Sequence, residues 1–217
     1  MNLKIFIALF LSVFFAACSF KAPINQWEIN SANAYNSYTK NFLKQNLEIA
    51  NSDLNSAIKY AKQSANLNQL SRIYLGKCAL NNSIGIEDKC LEYIKIKDLV
   101  QSNKLKAYYQ MLKDDLSLEN MNFLPKQYKD FYKYKLEKNY EKAFESLKSS
   151  EQITSLFLAS SLIQNNLTKT QIEYLIEKAS FYGYKSLVLF WLKNLYKIEQ
   201  NQNQKSLILR KIEVIEN

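Results

Sequence analysis

Few side chains in this chain have a type and spacing that could do chemistry. Three cysteines stand at positions 18, 78 and 90. Ser37-Tyr38-Thr39-Lys40 and Ser56-Ala57-Ile58-Lys59 each put a serine one helical turn from a lysine, where an amine could take a hydroxyl proton. Glu145-Ser146 offers a carboxylate as a general acid. Lys126, Lys129, Lys133, Lys135 and Lys138 interleave with Tyr128, Phe131, Tyr132 and Tyr134, a mixture of cations and rings able to hold single-stranded nucleic acid. Much else is excluded. Histidine is absent from all 217 residues, so Ser-His-Asp and Cys-His nucleophiles and histidine-ligated metals are ruled out. The three glycines, Gly76, Gly85 and Gly183, are too scattered for a phosphate-cradling loop or a dinucleotide fingerprint.

The surroundings of these stretches favour structure over catalysis. The two S-x-x-K matches resemble the Ser-Lys nucleophile of penicillin-binding proteins, but 20 serines and 27 lysines make two matches no more than chance. That family's K-T-G element is missing, since Lys169-Thr170 is followed by Gln171. Glu145-Ser146 resembles the Glu-Ser pair of lytic transglycosylases, which need a glycine-bearing loop after it; residues 147 to 182 contain no glycine. Glu145 sits among Glu141, Lys142 and Lys148, a solvated face and not the desolvated pocket that raises an acid's pKa. The basic aromatic run divides into a stripe of rings for a core and lysines for solvent. No enzyme activity, cofactor, metal or nucleic-acid partner is therefore expected.

The N-terminus has a short positive end, an apolar run from Ile5 to Phe15, and then Ala16-Ala17-Cys18. The run is too short for a permanent membrane span and suits a signal-peptide core. Phe15-Ala16-Ala17-Cys18 resembles the lipobox of bacterial lipoproteins, with Phe15 where that family favours an aliphatic residue. The resemblance implies cleavage after residue 17, acylation of Cys18, and anchoring to the membrane through lipid; Ser19 implies the outer membrane, facing the periplasm. A plain secretory signal with Cys18 as an ordinary thiol is the alternative. An even pair of cysteines in an exported chain suggests a Cys78–Cys90 disulfide across a turn. Two buried thiols are the other possibility. A net charge of +9, or +8 without Lys4, would weakly favour anionic surfaces.

Beyond the leader, apolar residues recur at three and four positions among Leu, Lys, Glu, Gln and Ala, which predicts an all-α fold. A leader at 1–17 and a linker at 18–26 precede a single helical domain at 27–217, with a seam near 114–124. Helices are expected from Trp27 to Asn51 with Tyr35, Tyr38, Phe42 and Ile49 on one face, and from Asp53 to Ala65 capped by Ser52 or Asp53. Others are expected at 67–79, 87–100 and 104–116. A further stripe runs through Tyr128, Phe131, Tyr132, Leu136, Tyr140 and Phe144 after Pro125. Ser149–Gln152 and Thr168–Gln171 read as capping boxes opening helices near 150–164 and 169–182. Gly183 is suited to ending the latter, and helices near 185–199 and 204–216 close the chain.

Helix pairs in series suggest an array. Asp53–Ser64 and Asn139–Leu147 resemble the second helix of a tetratricopeptide repeat, and Glu177–Gly183 resembles a Sel1-type repeat more faintly. Ala57 and Ala143 are spaced off the 34-residue period, and the Trp-Leu-Gly-Tyr half of the motif is missing. The resemblance implies a right-handed array of antiparallel helix pairs, a degenerate helical-repeat solenoid. In kind this is similar to helical-repeat lipoproteins that act as pilotins for secretins or as barrel-assembly accessories. The expected function is an exported, lipid-anchored scaffold binding an envelope protein or peptide, with Tyr35, Tyr38, Tyr108 and Tyr109 as candidate contacts. A protein that binds or cleaves peptidoglycan is the alternative.

Overall fold

The computed structural model describes residues 25–150 and 152–217. The leader, Cys18 and the linker to residue 24 lie outside the described residues, as does Glu151. Among the described residues every regular element is helical. The α-helices are α1 Gln26–Leu43, α2 Leu47–Ala61, α3 Leu67–Ser83, α4 Leu91–Ile94, α5 Asn103–Leu112, α6 Lys126–Leu136, α7 Tyr140–Lys148, α8 Ile153–Ser161, α9 Lys169–Phe181, α10 Lys185–Ile198 and α11 Gln202–Glu216. Short 3-10 turns at Lys97–Leu99, Asn120–Phe123 and Gln164–Asn166 fill some of the connections.

Three hairpins give the chain its order: α1 with α2, α6 with α7, and α9 with α10. Their turns share one backbone. Gln45, Lys138 and Gly183 each adopt a left-handed φ, of 65°, 55° and 64°. Behind each, the amide of Asn46, Asn139 or Tyr184 reaches back to the carbonyl of Asn41, Tyr134 or Ala179 at 2.9 Å. This satisfies a carbonyl that the helix end would otherwise orphan. Side chains then clasp the pairs. Asp53 accepts Ser37 Oγ at 2.6 Å and Asn41 Nδ2 at 2.8 Å, joining α1 to α2. Glu199 accepts Lys169 Nζ at 2.6 Å and the Asn201 amide at 2.8 Å, tying the start of α9 to the end of α10. The lysine holds the Glu199 carboxyl below its usual range.

Helix α3 is the central strut, packed against α1, α2, α5 and α8. It is buried on several faces, enclosing Leu70, Ile73, Leu75, Cys78, Ala79 and Leu80 together with the polar Gln69, Ser71 and Ser83. Trp191, Tyr93, Tyr132, Phe131, Phe144 and Phe157 are the largest fully buried side chains. At about 1.5–3 kcal/mol for each fully buried large apolar group, such rings dominate the stabilisation. Leu116 and Leu124, from the connection between α5 and α6, enter the same core as the helices on either side.

Several expectations need correction. The helix expected over 27–51 breaks at Lys44-Gln45-Asn46, and Ile49 is exposed on α2. Ser52 and Asp53 lie inside α2 and cap nothing; Asp53 serves as the clasp instead. The stripe from Tyr128 to Phe144 is cut by the turn at 137–139, leaving Leu136 exposed. Ser149–Gln152 forms no capping box, since Ser150 turns its hydroxyl to the Gln152 backbone. The helix expected over 87–100 shrinks to α4 and one 3-10 turn, because Cys90 is fixed in a left-handed conformation at φ 55°. The Thr168–Gln171 capping box is present with both of its bonds, and Gly183, left-handed at φ 64°, follows the end of α9 as expected.

Candidate functional site

One concavity between the helices begins with small residues. On α3, Gly76, Ala79 and Ser83 recur at helical spacing and lower the wall of the strut facing α1, α5, α6, α8 and α10. The result is a groove of about 520 Å³. Gly76 is the critical member, because a Cβ there would fall 2.0 Å from the Tyr35 hydroxyl. A mid-helix glycine costs roughly 1 kcal/mol relative to alanine. Here that glycine admits a phenol.

Tyr35 from α1, Tyr108 from α5 and Tyr128 from α6 converge in the groove. The rings of Tyr108 and Tyr128 lie 5.8 Å apart, and the Tyr128 hydroxyl donates to Ser155 Oγ at 3.0 Å. Burial raises the pKa of all three phenols above 10.0, with neighbouring phenols adding to the rise for Tyr35 and Tyr108. They are therefore neutral at physiological pH and act as hydrogen-bonding groups. Leu43, Phe157, Leu158 and Leu187 supply apolar surface. Asn36, Thr39 and Lys40 on α1, with Gln152 and Thr154 at the start of α8, form the polar rim. Lys40 is the one formally charged side chain among the described lining residues. Gln152 also borders a smaller polar hollow lined by Lys126, Asp130, Ser146 and Ser149.

Of the four candidate tyrosines, Tyr35 and Tyr108 line the groove. Tyr38 does not; it is 3% exposed, packed in the core between Tyr35 and Phe42. Tyr109 packs on Tyr93, ring centroids 5.0 Å apart, and is half-buried. From its spacing Tyr128 is expected only in the core, and neither Gly76 nor Tyr184 is expected at a site. The small-residue stripe on α3 was the signal that could have located the groove.

The other chemistry-bearing stretches are engaged elsewhere. Ser37 donates to Asp53 and not to Lys40. Glu145 is exposed on α7, 2.7 Å from Lys148, and Ser146 Oγ donates to the Ala143 carbonyl. In the basic aromatic run, Tyr128, Phe131 and Tyr132 are buried, and Lys135 lies over the Tyr132 ring at 5.3 Å. Cys78 and Cys90 form a disulfide with Cα atoms 5.3 Å apart. Asp88 approaches both sulfurs, but sulfurs bonded to each other are not metal ligands. Asp88 instead accepts Asn81 Nδ2 and the Cys90 amide, both at 2.7 Å, and pins the loop.

No protein-family model matches this chain, and no curated protein or solved structure matches it either.

Proposed function

We propose that this protein is a helical scaffold, exported and held at the cell envelope by lipid on Cys18, that binds a segment of a protein partner in the tyrosine-lined groove. The observation that carries the reading is the groove itself, in which three neutral phenols and apolar side chains share one concavity with an amide-bearing rim. Rigid aromatics beside adaptable amides are the composition that protein-binding surfaces favour. The repeated hairpin turn supports an array of antiparallel helix pairs, a degenerate right-handed solenoid, and such arrays use concave surfaces for binding. The disulfide suits an oxidising compartment, which accords with export.

Filling the groove tests this. Tagged protein crosslinked in intact cells should recover a protein partner from the membrane fraction, and Thr154→Trp should lose that partner while keeping the wild-type melting curve. The same partner on the filled variant, or cell-wall fragments alone, would overturn the reading and favour the carbohydrate alternative. Anchoring is read separately: membrane-extracted protein should have an intact mass that begins at an acylated Cys18, and lose it in Cys18→Ala.

A further inference from the structure

The turn between α9 and α10 repeats the backbone of its two sisters but not their side chains. Where they place Lys44 and Glu137 it has Tyr182, and where they place Asn46 and Asn139 it has Tyr184. The backbone therefore needs no ring at either position. Phe181, just before them, is 81% exposed, more than either counterpart, Leu43 at 1% or Leu136 at 45%. With Tyr182, 42% exposed, it makes a contiguous aromatic surface in water.

The rings are ordered. Phe181 meets Tyr182 edge-on at 5.2 Å, and Tyr182 stacks on Tyr184 at 5.5 Å with planes 19° apart. Tyr184 is buried and lines the groove. An aromatic path thus runs from solvent into the concavity. Lys178 and Lys185 flank the turn in sequence, with Glu177 beside them, and Lys178 Nζ lies over the Tyr174 ring at 5.2 Å. Ser186 Oγ donates to the Phe42 carbonyl at 3.2 Å, which brings the end of α1, with Lys40 and Lys44, beside the turn.

We propose that Phe181, Tyr182 and Tyr184 form the docking lip of the groove, and that its occupant is an acidic peptide segment bearing large apolar side chains. The proposal rests on the groove being a binding site. The rings would take the apolar side chains, and the four lysines would attract and orient the acidic ones. Rings and lysines also suit an anionic bilayer, but Tyr184 leads into a groove between helices that a bilayer cannot enter.

Full-length protein immobilised from detergent should select, from random peptides displayed on phage, sequences with Asp or Glu around Phe, Leu or Trp. Phe181→Ser with Tyr182→Ser, exposed positions where the fold is retained and no charge is added, should weaken those peptides about tenfold, and Thr154→Trp should abolish them. Selection of sequences without acidic residues, or undiminished binding by the turn variant, overturns the lip and its acidic occupant while the groove reading stands. No selection of any sequence, or full binding by Thr154→Trp, overturns both. Sedimentation with phosphatidylglycerol vesicles that falls in the turn variant, with peptide binding unchanged, overturns the proposal in favour of a membrane contact.

Discussion

The α9–α10 hairpin and the stretch from Ile84 to Ser102 reach order by opposite routes. The hairpin consists of two helices of 13 and 14 residues joined by one tight turn, with the fully buried Trp191 between it and the rest of the core. The second stretch has one short helix and one 3-10 turn, and is fixed by Cys78–Cys90, by Asp88, and by Lys113 Nζ donating to the Asp88 carbonyl at 2.7 Å. Packing dominates the first, whereas discrete bonds set the second around the buried Tyr93 and Val100. A region held by a few bonds should fail locally when one is cut, whereas a packed region should fail together with the whole domain.

The largest expected effect erases the difference. Burial raises the pKa of Tyr35, Tyr38, Tyr108 and Tyr128, and of Tyr93 in the stapled stretch. A raised folded pKa contributes stability that is complete below the unfolded value of 10.0 and is lost as pH rises above it. Above pH 10, the share of tyrosinate absorbance owed to these five of the fifteen tyrosines should therefore appear only together with loss of helical circular dichroism. Ionisation of these phenols in a protein that keeps its helices would contradict their burial.

Trp191→Ala should remove about 3–5 kcal/mol in denaturant melts and weaken both regions equally in hydrogen exchange. Replacing both cysteines, Cys78→Ser with Cys90→Ser, should cost about 3 kcal/mol, since the bridge closes a loop of 12 residues. Here exchange should accelerate first between 84 and 102, with the hairpins still protected; uniform loss would erase the contrast. Asp88→Ala should act in the same segment at about 1–3 kcal/mol, by leaving Asn81 and the Cys90 amide without their acceptor. The smallest effect has the opposite sign. Lys138 adopts a left-handed φ of 55°, so Lys138→Gly should stabilise the α6–α7 turn by up to about 1 kcal/mol in the same melts.

The same contrast explains what the sequence made legible. Helix formers and apolar spacing announce an all-helical chain, and Thr168–Gln171 and Gly183 mark their helix ends because the chemistry of those ends is local. The breaks at Gln45 and Lys138 were hidden because a glutamine and a lysine occupy left-handed positions that packing imposes. The one local mark is the asparagine after each, Asn46 and Asn139, which takes the N-cap position of the next helix. The helix expected over 87–100 was lost to Cys90, whose conformation is set by a partner 12 residues away. In the groove, Tyr35 and Tyr108 were legible as aromatics on polar helices. Tyr38 and Tyr109 share that pattern, and only the third dimension separates them. Gly76 and Tyr184 were missed because one acts by lacking a side chain and the other lies next to a turn.

The most direct test places a photoreactive side chain at Asn36 on the groove rim and another at Glu213 on α11, away from it, in intact cells. Position 36 should give one discrete protein adduct, absent from position 213 and lost when Thr154→Trp fills the groove. The same adducts from both positions, or none from position 36, would contradict the groove as the binding site.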